Sequence, residues 1–327
     1  MTDHLSVFLF GRMIRLLTAE NFSVPGYLNM KTMRYALSTI YYHLKQINEF
    51  DVYANNSTHS LHNNYVYKFA LPFERIDDHI GSTLLLQRNW YHSITISIVY
   101  FILIKFIQRK MRDREAFNLR IPLFFWNASL AIFSLFGFLR YSEEVFYSVT
   151  VLGMYKSLCY TIHTNGVAAF WALLFALSKL VELGDTLFIV LRKKPLIFLH
   201  YYHHVAVLIC AAHSGAEHAA PGRFFVCMNF FVHAIMYSYY ASTAYGFRPS
   251  RLIAMTLTTL QITQMLGGLT IVYLVYNIKT KTDLPCQQSM GNLLLSFIIY
   301  TTFAALFIQF YIKNYFISPK RQQKKID

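Results

Sequence analysis

The sequence predicts an all-α membrane protein with seven transmembrane helices. Three observations carry this. Of the 327 residues, 55% are hydrophobic and only 14% charged, and the mean hydropathy is +0.34, a balance that soluble globular chains rarely show. The apolar residues gather into seven stretches, 92–108, 121–139, 166–190, 197–213, 223–245, 252–277 and 291–315, each near the roughly 20 residues that carry a helix across about 30 Å of hydrocarbon. None alternates with period two as the strand of a membrane barrel would. A helix satisfies its own backbone polar groups, which lipid demands.

Taken in order, residues 1–91 read as a luminal N-terminal extension with some local helix, rich in polar stretches such as YANNSTHSLHNN. Its apolar run Leu5–Phe10 ends at Gly11-Arg12 and is short for a signal peptide. Residues 92–315 form one seven-span domain without internal repeat or long linker, and 316–327 form a basic tail. The formal net charge of +14 raises the question of nucleic acid. The basic residues, however, concentrate in alternate loops: Arg109, Lys110, Arg112, Arg114 and Arg120 in the first, Arg192, Lys193 and Lys194 in the third, Arg248 and Arg251 in the fifth, and Lys320, Arg321, Lys324 and Lys325 in the tail. The other loops carry mainly Arg140, Lys156, Arg223, Lys279 and Lys281, opposed by Glu143 and Glu144. That asymmetry is topology rather than nucleic-acid binding. It places the N-terminus in the lumen and the C-terminus in the cytosol.

Two further signals fit this orientation. Asn55 and Asn56 open overlapping glycosylation sequons in the luminal extension, whereas the sequon at Asn127 lies inside a span. Lys324 and Lys325 before Ile326-Asp327 resemble a dilysine retrieval signal of the endoplasmic reticulum. Cys210 and Cys227 fall within spans as small apolar residues. Cys159 and Cys286 fall in two luminal loops, where an oxidising compartment permits the disulfide expected between them.

Ionisable residues at membrane depth are costly and mark candidate sites. The third span carries Lys179, Glu182 and Asp185, spaced by three along one helical face. They make either a structural ion pair or part of a site. The fourth span opens with His200, His203 and His204 at i, i+3 and i+4. The fifth carries Asn229, His233, Met236, Tyr237 and Tyr240 at helical spacing, and the sixth carries Gln261 and Gln264. With adjacent spans antiparallel, these groups reach similar depths toward the cytosolic side. Arg192, Lys193, Lys194, Arg248 and Arg251 then ring the cytosolic mouth, a dock for a phosphate-rich ligand.

Clustered histidines suit iron or zinc, so a diiron membrane desaturase or hydroxylase is one alternative. Such enzymes use several histidine boxes, and here one box and His233 stand at membrane depth. The other chemistry is metal-free, with a neutral imidazole as nucleophile or general base. A seven-span transporter or receptor is a third class, without a motif in its favour.

At this point the motifs resemble a family. KLVELGDT at 179–186, HYYHH at 200–204, NFFVHAIMYSYY at 229–240 and TLTTLQITQM at 256–265 are similar to the K-x-x-E-x-x-D-T, H-x-x-H-H, N-x-x-x-H-x-x-M-Y-x-Y-Y and T-x-x-Q-x-x-Q motifs of the very-long-chain fatty acid elongases. The likeness covers about residues 92–327 and leaves out the extension. It implies a seven-span protein of the endoplasmic reticulum in which six helices form a barrel around an acyl tunnel, closed toward the lumen. It also implies condensation of acyl-CoA with malonyl-CoA to 3-ketoacyl-CoA, CO2 and CoA, with no bound cofactor and no metal. By motif position His203 is the nucleophile and His233 its partner for decarboxylation or enolate stabilisation. His200 and His204 orient the site, Asn229 and Gln264 polarise the carbonyl, and Glu182, Asp185, Tyr237, Tyr240 and Gln261 support it. Lys179 and the basic mouth meet coenzyme A phosphates. A family luminal disulfide fits Cys159 and Cys286. Ketoacyl reductase, dehydratase and enoyl reductase would be partners in the cycle, because this chain has no dinucleotide-binding glycine motif. Pro195 stands where the polyunsaturated branch tends to carry Gln, and IFLHYYHH looks closest to the branch extending saturated and monounsaturated long chains.

Overall fold

The computed structural model describes residues 61–317. The sequons at Asn55 and Asn56, the rest of the extension before residue 61 and the Lys324-Lys325 tail lie outside them. Within this range the chain is helical, and its one β contact is an isolated bridge between His62 and Thr161. The helices are α1 (His79–Asn89), α2 (His92–Lys110), α3 (Arg120–Tyr147), α4 (Gly153–Cys159), α5 (Val167–Val181), α6 (Gly184–Leu191), α7 (Phe198–Glu217), α8 (Gly222–Tyr245), α9 (Arg251–Lys281) and α10 (Met290–Ile312). Six helical stretches among the described residues are long and apolar enough to cross a membrane: His92–Lys110, Arg120–Cys159, Val167–Leu191, Gly222–Tyr245, Arg251–Lys281 and Met290–Ile317. The chain is therefore a multi-pass membrane protein. Helix α7 is not among the six, since His200, His203, His204 and His213 lower its hydropathy.

Local chemistry sets the helix ends. Ser250 and Ser289 cap α9 and α10, their hydroxyls accepting from the backbone N–H of Ile253 and Asn292, which satisfies otherwise orphaned donors. Pro122 sits in the first turn of α3, where a missing N–H costs little. Gly246, at φ 116, ends α8 in the left-handed conformation that glycine adopts without penalty.

Helix α3 packs along α8, α8 on α9, α9 on α10, α10 on α7, α7 on α5, and α5 on α3, while α2 packs against α6 and α7. At one end of these helices lie the basic loops. Arg120 donates to the carbonyls of Ala244 and Tyr245, Arg251 to that of Tyr315, and Lys193 to those of Arg112 and Arg114. At the other end Cys159 and Cys286 are disulfide-bonded. There the backbone N–H of Ala220 donates to the Gln287 carbonyl, and Gln287 Nε2 donates to the Glu217 carbonyl.

Three features depart from the sequence expectation. The second apolar stretch does not end at residue 139. Its helix runs through Tyr147 and a π-helical turn, Ser148–Leu152, into α4. Glu144 and Arg223, expected as loop charges, are instead a buried pair at 2.9 Å, joined by Ser148 and Asn63. Each charge offsets the desolvation of the other. The third stretch is two helices, interrupted at Glu182 and Leu183. The described part of the extension packs on the helical domain. Glu74 accepts from Arg140 and Trp171, and α1 lies on α7.

Candidate active site

The interruption between α5 and α6 positions the first acidic cluster. Lys179 Nζ donates to Glu182 Oε1 at 2.7 Å and to Asn229 Oδ1 of α8 at 2.8 Å. Ser178 Oγ also donates to Glu182 Oε1, and His233 Nδ1 lies 3.7 Å from the same oxygen. Lys179, Glu182, Asn229 and His233 are all buried. Lys179 therefore stands within the core, apart from the basic loops with which it was grouped as a phosphate contact.

Gly184 opens the next turn. A Cβ there would come within 2.8 Å of the Trp126 ring, so only glycine lets the indole lie against the chain. Trp126 Nε1 then donates to Asp185 Oδ1 at 2.6 Å, while Tyr237 OH donates to Oδ2 at 2.7 Å. His204 Nε2 is 3.8 Å from that Oδ2. One residue on, Thr186 Oγ1 is hydrogen-bonded to Tyr100 OH and, at 3.0 Å, to His200 Nε2.

The three box histidines thus have different surroundings. His200 turns to Thr186, His204 to Asp185, and His203 packs its ring at 4.9 Å from that of Phe303. Among the described residues no three His, Cys, Asp or Glu side chains are arranged to hold a metal ion. Of the box, only His203 lines a cavity enclosed among these helices. This cavity measures about 180 Å³ and is also lined by Asn229, Gln264, Met265 and Phe303 around His203. From there it follows a stripe of α7, Val207, Cys210, Ala211, Ser214 and His218, toward the disulfide end. The i, i+4, i+7 spacing of that stripe is one continuous helix face. Most of the wall is apolar, with Phe175, Val226, Ile299 and Tyr300 facing in.

The remaining sequence candidates are distributed around this core. Tyr237 is buried on Asp185, whereas Tyr240 is 43% exposed with its ring beside Tyr237 and Tyr239. Gln261 Nε2 rests against Met236 Sδ at 3.3 Å, outside the cavity wall. Lys193, Lys194, Arg248 and Arg251 are exposed and Arg192 half-buried, all in the loops of the basic end. Sequence reasoning missed Trp126 and Thr186 as partners of the site. Trp126 comes from a helix whose motif value is not visible in spacing, and its signal is the small Gly184 opposite. Thr186 stood in the quoted KLVELGDT stretch without a role.

Comparison with known proteins agrees with the motifs. The ELO family, described as the GNS1/SUR4 family, matches residues 85–325. A Caenorhabditis elegans protein named "Putative fatty acid elongase 4" is 52% identical over 280 residues, covering 86% of this chain and 96% of that protein. The mouse very long chain fatty acid elongase 6 is 43% identical over 240 residues, 73% of this chain and 90% of its own length. The Drosophila melanogaster very long chain fatty acid elongase 6 is 41% identical over 252 residues, 76% and 80%. No such likeness supports the desaturase alternative. With motifs, site and most of its length in agreement, the chain belongs to the ELO family of fatty acid elongases.

Proposed function

We propose that this protein condenses a long-chain acyl-CoA with malonyl-CoA, giving 3-ketoacyl-CoA, CO2 and CoA, the first step of fatty acid elongation. The observation that carries the reading is the position of His203, which lines a mostly apolar cavity together with the polar residues Asn229 and Gln264. Such a cavity fits an acyl chain, and an imidazole at its polar end fits attack on a thioester.

In this scheme a neutral His203 nitrogen attacks the thioester carbonyl. The C–S bond breaks, CoA leaves with a proton, and an acyl-imidazole remains. Malonyl-CoA loses CO2, and the electron pair of the broken C–C bond forms the enolate of acetyl-CoA. That carbon attacks the acyl carbonyl, the C–N bond to the imidazole breaks as the new C–C bond forms, and the departing ring nitrogen takes a proton from water, restoring neutral His203. Asn229 and Gln264 stabilise charge developing on the acyl oxygen. His233, held near Glu182, assists decarboxylation or the enolate. His200 and His204 hold the box through Thr186 and Asp185. Arg192, Lys193, Lys194, Arg248 and Arg251 supply cations for coenzyme A phosphates. We further infer that α7 is a seventh span, enclosed by its neighbours so that its histidines face protein rather than lipid, and that α3, α5, α7, α8, α9 and α10 form a barrel. The protein resides in the endoplasmic reticulum with its N-terminus luminal and C-terminus cytosolic, beside the reductases and dehydratase that complete the cycle.

The test is intact-protein mass spectrometry after incubation with a saturated long-chain acyl-CoA and no malonyl-CoA. Wild type is expected to gain the acyl mass, and His203→Ala to gain none. Normal 3-ketoacyl product once malonyl-CoA is added, without any adduct beforehand, would replace the covalent route by a ternary complex with His203 as base. No 3-ketoacyl product after malonyl-CoA is added would overturn the reading.

A further inference from the structure

The cavity that His203 lines is also lined by α1, a helix that precedes the first span. Ile76, His79, Thr83 and Leu86 from this segment line it. The spacing of the last three is that of one helix face, and Leu85, on the opposite face, is 65% exposed. The segment is anchored rather than merely adjacent. Thr83 Oγ1 is hydrogen-bonded to His218 Nε2 at 2.9 Å, and Gln87 Nε2 donates to the Ala216 carbonyl at 3.1 Å. Trp90, just beyond α1, packs edge-on against His213 at 4.7 Å. Asp78 caps the helix by accepting from the Gly81 N–H at 2.7 Å. Burial, and after it the neighbouring His79, pushes the His218 imidazole down to about 4, which favours its neutral form at neutral pH.

We propose that α1 is the end stop for the terminal methyl of the acyl chain, and that Leu86 with Thr83 sets the longest chain accepted. The proposal rests on the condensing reading above. Its scale follows from α7. From His203 to His218 the helix advances about 22 Å, at roughly 1.5 Å per residue. A saturated chain built from C–C bonds of about 1.5 Å gains about 1.25 Å per carbon along its axis, so about 18 carbons reach from the box to α1. A longer chain would press its methyl end on Leu86, and misfit by one methylene is worth about 10–200-fold in kcat/KM.

The experiment measures kcat/KM for a series of saturated acyl-CoAs lengthened two carbons at a time, with malonyl-CoA constant. Leu86→Ala is expected to move the cutoff to longer chains by one two-carbon step, with about a tenfold gain for the first chain that wild type rejects. Leu86→Phe is expected to move it the other way. Thr83→Ser, which keeps the hydroxyl for His218 and removes a methyl from the wall, gives a milder shift in the direction of Leu86→Ala. Leu85→Ala should match wild type. Product formation with an unchanged cutoff in both Leu86 variants and in Thr83→Ser would overturn the end stop alone. Absence of 3-ketoacyl product from wild type at every length would overturn the condensing reading and the end stop with it.

Discussion

At the scale of single residues, the site depends on charges buried in mutually satisfying pairs. Glu182 receives Lys179 and Ser178, and Lys179 also reaches Asn229. Removing one member leaves the other as an uncompensated buried charge, whereas removing both leaves only a polar contact to replace. Lys179→Met or Glu182→Gln alone should therefore cost on the order of 3–5 kcal/mol. The double substitution should recover a large part of that stability without recovering elongation. Thermal melts and activity assays on all three variants in detergent check this, and additive losses in the double variant would show that the pair is not coupled. The carriers of this cluster were legible in the sequence, because spacings of three and four at membrane depth single out Lys179, Glu182, His203 and His233. Their partners were less so. Trp126, Thr186 and the Glu144–Arg223 pair join residues distant in sequence, and helical periodicity holds no information about which helix faces which.

Among the elements, the transmembrane helices were the most legible, since lipid imposes length and apolarity together. The interruption at Glu182–Leu183 and the π turn after Tyr147 were not. Tertiary contacts lie at both, the Trp126 ring beside Gly184 at one and the hydrogen bonds gathered at Ser148 at the other. The short elements before α2 were less legible, because a polar composition allows some local helix without showing what it packs on. Part of their attachment runs through Glu74, which is 1% exposed and whose carboxylate accepts from Arg140 at 2.7 Å and 2.8 Å and from Trp171 at 2.8 Å. Burial acts to raise the Glu74 pKa, but hydrogen bonds from Arg140, Trp171 and the Leu71 backbone outweigh it and hold the group below the ordinary value of 4.5. A depressed folded pKa adds stability above the unfolded value, and that stability is lost as pH falls through the folded one. Melting temperature should therefore drop as the medium is acidified below the ordinary glutamate range, and Glu74→Gln should flatten this part of the profile while lowering stability at neutral pH. An unchanged acid limb in Glu74→Gln would remove Glu74 from the account.

Across the whole molecule, the two ends carry different duties. The basic loops and the histidine box lie toward one end, and the disulfide toward the other. Gln287, next to Cys286, is bonded to the carbonyl of Glu217 at the C-terminal end of α7, about 21 Å along the helix from His203 at roughly 1.5 Å per residue. The Cys159–Cys286 bond closes a sequence separation of 127 residues, and a crosslink of that reach stabilises by about 4–5 kcal/mol in the chain-entropy account. It acts by restricting the unfolded chain rather than by shaping the box. Stability and catalysis should then separate. Cys159→Ser, Cys286→Ser and wild type treated with reductant should all melt lower than oxidised wild type by a similar amount. Their elongation rates, measured well below the melting range, should stay within about twofold of oxidised wild type, a change in barrier below about 0.5 kcal/mol. A loss of activity at temperatures where the variants remain folded would mean that closure of the far end governs the geometry at His203. The disulfide would then belong to the acyl site rather than to the stability of the fold.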